Sequence, residues 1–167
     1  MGNSATTGFA DRSTPTTAYD ADFYLWTQEQ ARVLRELRPY GVDWENAAEE
    51  IESVGRSQKT EIRNRLIVLL MHLLKWQFQP EKRKDGWLST IGEQRVSIEG
   101  LLETSPSLRA FPGDILEWAY ERARRRATQE TRLSPSTFPE HPPFTIAEVL
   151  DDAFMPGEPW HPDDLAE

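Results

Sequence analysis

Residues 57–79 read SQKTEIRNRLIVLLMHLLKWQFQ, and the spacing of apolar side chains in this stretch decides the fold class. Ile62, Leu66, Leu69, Leu73 and Trp76 recur in steps of four and three, the period of an α-helix. Ile67, Leu70 and Leu74 widen the stripe. A helix apolar on so many sides is expected in the middle of a domain. Ser57 is read as its start, and Pro80 sets its limit because proline cannot continue a helix. The near-apolar run from Leu66 to Leu74 is interrupted by His72 and falls short of the about 20 residues a bilayer span needs. It is read as buried helix.

The same period continues on both sides. Phe23, Trp26, Gln30, Val33 and Leu37 predict a first helix, with Asp20 or Asp22 as its N-cap and Pro39 just beyond it. Asp43 is expected to cap a second, short helix with Trp44, Ala47, Ala48 and Ile51 on its apolar face and Gly55 as its stop. A helix over about 86–103 turns Trp87, Ile91, Gln94, Ile98 and Leu101 inward. Pro106 opens a turn. Asp114 caps a further helix with Ile115, Trp118, Ala119, Arg122 and Ala123 along one side. Thr145 and Glu148 form a capping-box pattern for a short last helix. No strand-like alternation of useful length appears. The fold class is all-α: a compact bundle of four main helices plus short ones, closed by a proline-rich C-terminal strap.

Composition sets the organisation. Residues 134–167 hold seven of the twelve prolines. Residues 1–18 are small and polar and read as a disordered tail; residues 19–156 read as the domain and 157–167 as an acidic tail. The formal net charge of −9 is unevenly spread. Residues 1–54 carry 4 basic and 10 acidic side chains, 55–133 carry 15 and 10, and 134–167 carry 0 and 8. An acidic chain argues against a nucleic-acid or membrane partner. The lack of cysteine excludes disulfides and thiolate chemistry and suits a reducing compartment. The start of the chain has neither a basic nor an apolar leader region, so a cytoplasmic location is expected.

Four polar features could carry chemistry. Glu45, Glu49 and Glu52 fall on one helical stripe, with Glu50 beside it. Like charges at this spacing repel by a few tenths of a kcal/mol per pair, so something positive should face them: a cation such as Mg²⁺ or Mn²⁺, or basic side chains such as Arg56. His72, within an apolar run, is a core imidazole satisfied by a carboxylate or carbonyl, or else a ligand or general base oriented by a glutamate. Lys75, Trp76, Arg83, Trp87, Gln94 and Arg95 gather after the long helix, as a structural corner or as a lining with cation–π contacts. Arg122, Arg124, Arg125 and Arg126 form a basic run, expected to pair with the acidic helix or tail. Glu49/Glu52 and Glu148/Asp151 both show the spacing with which all-α nucleotide pyrophosphohydrolases hold Mg²⁺, but the second pair lies in the proline-rich part. Walker A, G-x-G-x-x-G, H-E-x-x-H, EF-hand and G-x-S-x-G patterns are absent.

Taken in order, several segments carry a more specific signal. They are Tyr19-Asp20-Ala21-Asp22-Phe23-Tyr24-Leu25-Trp26, Asp43-Trp44-Glu45-Asn46, Glu49-Glu50-Ile51-Glu52-Ser53-Val54-Gly55-Arg56-Ser57 and His72-Leu73-Leu74-Lys75-Trp76-Gln77. Thr90-Ile91-Gly92-Glu93-Gln94-Arg95, Ser105-Pro106-Ser107-Leu108, Ala119-Tyr120, Glu130-Thr131 and Phe138-Pro139 follow. The chain resembles the bacterial family catalogued as domain of unknown function number twenty-nine over about residues 19–156. The resemblance implies a compact helical domain and carries no activity with it. Its motif positions include Glu49, Glu50, Glu52, Arg56, His72, Lys75, Trp76, Gln94 and Arg95. His141-Pro142-Pro143 resembles the family's closing strap, with no role implied for His141.

Two functional readings remain. In the first, the chain is a non-enzymatic protein-interaction or regulatory domain without cofactor, its acidic helix and tail meeting a basic protein or a second copy. In the second, it is a small hydrolase of nucleotides or phosphoesters. Glu45, Glu49 and Glu52 would then hold Mg²⁺ or Mn²⁺, His72 would serve as base or ligand, and Lys75, Arg83 or Arg95 would face phosphate.

Overall fold

The structure, a computed structural model, describes residues 17–38 and 40–165. Most of the expected N-terminal tail, and Pro39 as a helix stop, lie outside the described residues. Those residues form six α-helices and no strand. Four helices are long: α1 (Phe23–Leu37), α2 (Trp44–Phe78), α3 (Asp85–Thr104) and, after the short α4 (Phe111–Asp114), α5 (Leu116–Thr131). A short α6 (Ile146–Leu150) lies in the C-terminal segment. The all-α architecture expected from the apolar period is the observed one. Four 3-10 turns begin at Pro80, Pro106, Pro135 and Pro162. There the ring supplies a helix-like φ, and no first-turn N–H is lost.

Two helices expected as separate are one. Asp43 caps α2 as read, accepting from the Asn46 N–H at 3.2 Å. The helix then runs through Gly55 without a break for 35 residues, about 50 Å. Gly55 is not a stop; it is where α1 crosses α2. A Cβ built on it would lie 2.1 Å from Thr27 Oγ1 and 3.2 Å from Thr27 Cβ. A glycine needed for close approach and one needed for a left-handed cap look alike in sequence.

Asp22, not Asp20, caps α1, accepting from the Leu25 N–H at 2.8 Å. The same carboxylate accepts from the Ser107 N–H and, at 3.0 Å, from its hydroxyl. Ser105 Oγ donates to Gln58 and accepts from the Tyr24 N–H at 3.0 Å. The start of α1, the middle of α2 and the turn after α3 are thereby joined through buried or half-buried polar contacts. Thr17 adds two bonds to the Glu29 carboxylate, at 2.9 and 3.1 Å.

The core lies along the second half of α2. Leu66, Leu69, Leu70, Leu73 and Leu74 pack against Ile91 and Ile98 of α3, against Ala119, Tyr120 and Ala123 of α5, and against Phe138, Phe144 and Val149 beyond it. Burying each large apolar side chain stabilises the fold by about 1.5–3 kcal/mol. The inward face of α5 differs from expectation. Asp114 ends α4 and does not cap α5. Ala119, Tyr120, Ala123 and Ala127 are buried, whereas Trp118 is 38% exposed. Small residues let α5 approach α2, and the larger ring stays outside. Tyr120 donates its hydroxyl to the Pro139 carbonyl at 2.8 Å, and burial pushes the phenol up to about 12.

Within residues 133–160, Phe138, Phe144 and Val149 belong to the core. Thr145 and Glu148 form the capping box of α6. Phe138 meets Phe78 edge-on at 5.3 Å. The tail expected from residue 157 onward is docked as far as Trp160, whose ring meets Trp76 edge-on at 5.1 Å. Among the described residues no helix is long and apolar enough to cross a membrane.

Candidate functional site

Because α2 is continuous, the two sets of residues that could have formed one site stand apart. Glu52 and His72 are twenty residues apart on a single helix, about 30 Å along its axis. A glutamate of the 45–52 stripe cannot orient His72, and the combined metal-and-base site expected from the sequence does not assemble.

At the first cluster the positive partner comes from α1. Arg35 donates to Glu52 and lies 3.9 Å from Glu45 and 3.8 Å from Glu49. Arg56 meets Glu49 at 2.6 Å and Glu52 at 3.5 Å. The bond from Arg35 holds the Glu52 carboxyl below the usual carboxylate range, against a smaller upward push from burial. Glu50 is exposed and has no ion pair among the described residues. Nor do these residues place three acidic or His side chains where they could hold a metal ion. Arg35 escaped the sequence reading because only the α1–α2 hairpin brings it to the stripe.

At the second cluster each candidate is held by the fold. Lys75 is buried, donates to Glu130 at 2.6 Å and sits 4.7 Å from the centre of the Trp87 ring. His72 is half-buried. Its Nδ1–H donates to the Val68 carbonyl at 2.9 Å, one helical turn back. Gln94 Oε1 accepts from Arg65 at 3.3 Å. Arg83 donates from Nε to the Trp76 carbonyl at 2.9 Å and from Nη1 to the Glu158 carbonyl at 3.0 Å, with its guanidinium 4.9 Å from the Trp76 ring centre. Arg95 is 4% exposed and reaches three carbonyls of the C-terminal segment: Val149 at 2.9 Å, Asp152 at 3.4 Å and Phe154 at 2.8 Å. A groove of about 820 Å³ runs beside Arg95, between Val96, Met155 and Trp160. All three nitrogens of the guanidinium are already bonded to backbone carbonyls. Trp76 Nε1 and Gln77 Oε1 are buried without a hydrogen-bond partner among the described residues.

His72 yields a pH prediction. Burial lowers its pKa, Lys75 adds to the lowering, and the Val68 bond and Glu130 oppose it. A group with a lowered folded-state pKa contributes stability fully above its unfolded value of about 6.5. That contribution is withdrawn as pH falls from there through the folded value. His72→Gln should therefore flatten the decline in urea-unfolding stability between about pH 7 and 5. An unchanged decline would contradict the assignment of a neutral, half-buried imidazole.

Among the described residues, the basic run of α5 pairs neither with the acidic stripe nor with the carboxylates of the tail. Arg125 meets Glu121 at 2.9 Å on its own helix. Arg124 donates to the Phe138 carbonyl at 3.2 Å and the Pro135 carbonyl at 2.9 Å. Arg122 lies 3.8 Å from the centre of the Trp118 ring. That contact ends a ladder the sequence reading missed. Lys59 lies over Tyr24 at 4.6 Å and over Phe111 at 5.2 Å; Arg63 lies over Phe111 at 5.4 Å and over Trp118 at 5.7 Å. Aromatic rings from α1, α4 and α5 thus alternate with cations from α2 and α5. Neither Lys59 nor Arg63 has an ion pair among the described residues. The available signal was the stripe of Arg56, Lys59 and Arg63 at i, i+3 and i+7.

The family described as Domain of unknown function DUF29 matches residues 18–155. The chain belongs to this family. A solved structure from Rhodospirillum rubrum, described as an alpha-helical protein of unknown function, is similar to this DUF29 chain at 27% identity with a TM-score of 0.66. The match covers 84% of this chain and 93% of the other. No curated protein matches the chain. Of the positions that carry the resemblance, Glu49, Glu52, Lys75, Gln94 and Arg95 tie helix to helix or helix to C-terminal segment in this structure, whereas Arg56 pairs within α2.

Proposed function

We propose that this DUF29 chain is a non-enzymatic, cytoplasmic interaction domain that engages an anionic partner through the cation–aromatic face of α1, α2, α4 and α5. The observation that carries this reading is a contrast. The polar residues that could have been catalytic are bonded within the fold, while Lys59 and Arg63 have rings as their partners and no carboxylate among the described residues. A groove of about 800 Å³ lined by Tyr24, Gln28, Arg56, Lys59 and Arg63 runs beside them; Glu61 also lines it, paired with Arg65 at 2.7 Å. The contact surface moves away from the acidic stripe, whose carboxylates Arg35 and Arg56 already hold. A metal-dependent hydrolase would have to free those carboxylates and then work without His72.

Calorimetric titration with inorganic polyphosphate tests the reading. The full chain should give saturable binding, and Lys59→Ala/Arg63→Ala should remove it while the chain stays folded, since neither side chain holds an ion pair and each lost ring contact costs only about 0.5–1 kcal/mol. Absence of binding, or binding indifferent to the double substitution, contradicts it.

A further inference from the structure

We infer that the partner of the cation–aromatic face is a single-stranded nucleic acid, an inference that rests on the reading above and names its partner class. Charge alone would suit any polyanion. The rings decide between them: Tyr24, Phe111 and Trp118 are half-buried or exposed and come from three different helices, yet they fall into one row with cations between them. Bases stack on such rings whatever their identity, and cations between the rings meet the backbone phosphates. Lys59 and Arg63 are four residues apart on α2, about 6 Å along the axis, close to the separation of successive phosphates on one strand. Guanidinium and ammonium groups that lie on ring faces in the free protein can turn onto phosphate as bases take their places. An acidic peptide would use the cations and leave the row of rings without a role.

The net charge of −9 does not bar this partner. The excess of acid lies in 1–54 and 134–167, while 55–133, which supplies Lys59, Arg63, Phe111, Trp118 and Arg122, is net +5. Among the described residues, no carboxylate from 134–167 lies within ion-pair distance of a ladder cation. Within ion-pair distance of a ladder cation stands Glu121, at 3.9 Å from Arg122, and the carboxylate in the groove itself, Glu61, is held by Arg65 at 2.7 Å. The field met by an approaching strand is local and positive, and binding will weaken as salt rises.

The test is fluorescence anisotropy of a labelled twelve-nucleotide oligothymidylate against the full chain at low ionic strength, with poly-glutamate as the second probe. The expected result is salt-sensitive binding of the oligonucleotide, weakened by about tenfold or more in Trp118→Ala and in Lys59→Ala/Arg63→Ala, with both variants still folded by circular dichroism at the titration temperature and poly-glutamate clearly weaker. If poly-glutamate binds as well and Trp118→Ala has no effect, the nucleic-acid inference is overturned while the anion-binding face stands. If neither probe binds, or the double variant binds as the wild type does, both fall.

Discussion

Gly55→Ala lowers the melting temperature by about 4–8 °C, the shift that a net loss of about 2 kcal/mol produces in a chain of this size. An exposed helical glycine behaves in the opposite way, since alanine there stabilises by up to about 1 kcal/mol. The sign therefore reports whether α1 and α2 touch at this point. The new Cβ would meet Thr27 Oγ1 at 2.1 Å, and Thr27 has little room to yield. Its hydroxyl donates to the Tyr24 carbonyl at 2.7 Å, its side chain is branched at Cβ, and it is 1% exposed. Removing the hydroxyl should relieve the clash: Gly55→Ala/Thr27→Ala should cost less than its two parts together, with a coupling of at least about 0.5 kcal/mol. A rise in melting temperature for Gly55→Ala would show that the helices do not pack as described.

Arg95→Met should cost about 3–4 kcal/mol in urea unfolding, because it leaves the carbonyls of Val149, Asp152 and Phe154 without their charged donor. Arg95→Lys should recover little of this. An ammonium on a flexible stem cannot span three acceptors that a planar guanidinium reaches together. Limited proteolysis should then cut within residues 134–160 of either variant before any other part of the domain. An Arg95 that served a bound phosphate would give another pattern, with Arg95→Lys keeping full stability. Burial lowers the Arg95 pKa while Asp152 and Asp151 oppose this, and the group remains a cation throughout the range in which proteins are handled.

The apolar period was enough to read the helical class and the positions of α1, α3 and α6, because steps of three and four along Ile62 to Trp76 have no other regular interpretation; it split α2 in two and did not show α4. It failed where one residue type serves two purposes. Gly55 looked like a cap and is a contact; Trp118 looked like core and is surface, because the alanines beside it set the depth to which α5 sinks. The site was less legible still. Glu45, Glu49 and Glu52 announce that a cation is near, but not that it is Arg35 from the neighbouring helix. The acidic C-terminal segment against a basic centre suggested ion pairs, whereas Arg83, Arg95 and Arg124 bind its backbone carbonyls. A carbonyl is present at every residue and leaves no mark in composition. The ladder of Tyr24, Lys59, Phe111, Arg63, Trp118 and Arg122 draws on four helices, and no local window of sequence contains it.

The central claim is that the charges engaged by the fold and the charges offered to a partner lie on different faces. The six tryptophans report on it directly, through their indole N–H resonances during titration with the oligothymidylate. Trp118 stands in the ladder, whereas Trp76, Trp87 and Trp160 stand with Lys75, Arg83 and the C-terminal segment. The expected result is a saturable shift of the Trp118 signal with those of Trp76, Trp87 and Trp160 unmoved. Movement of Trp87 and Trp160 with Trp118 unchanged would place the partner in the groove beside Arg95 and contradict the claim.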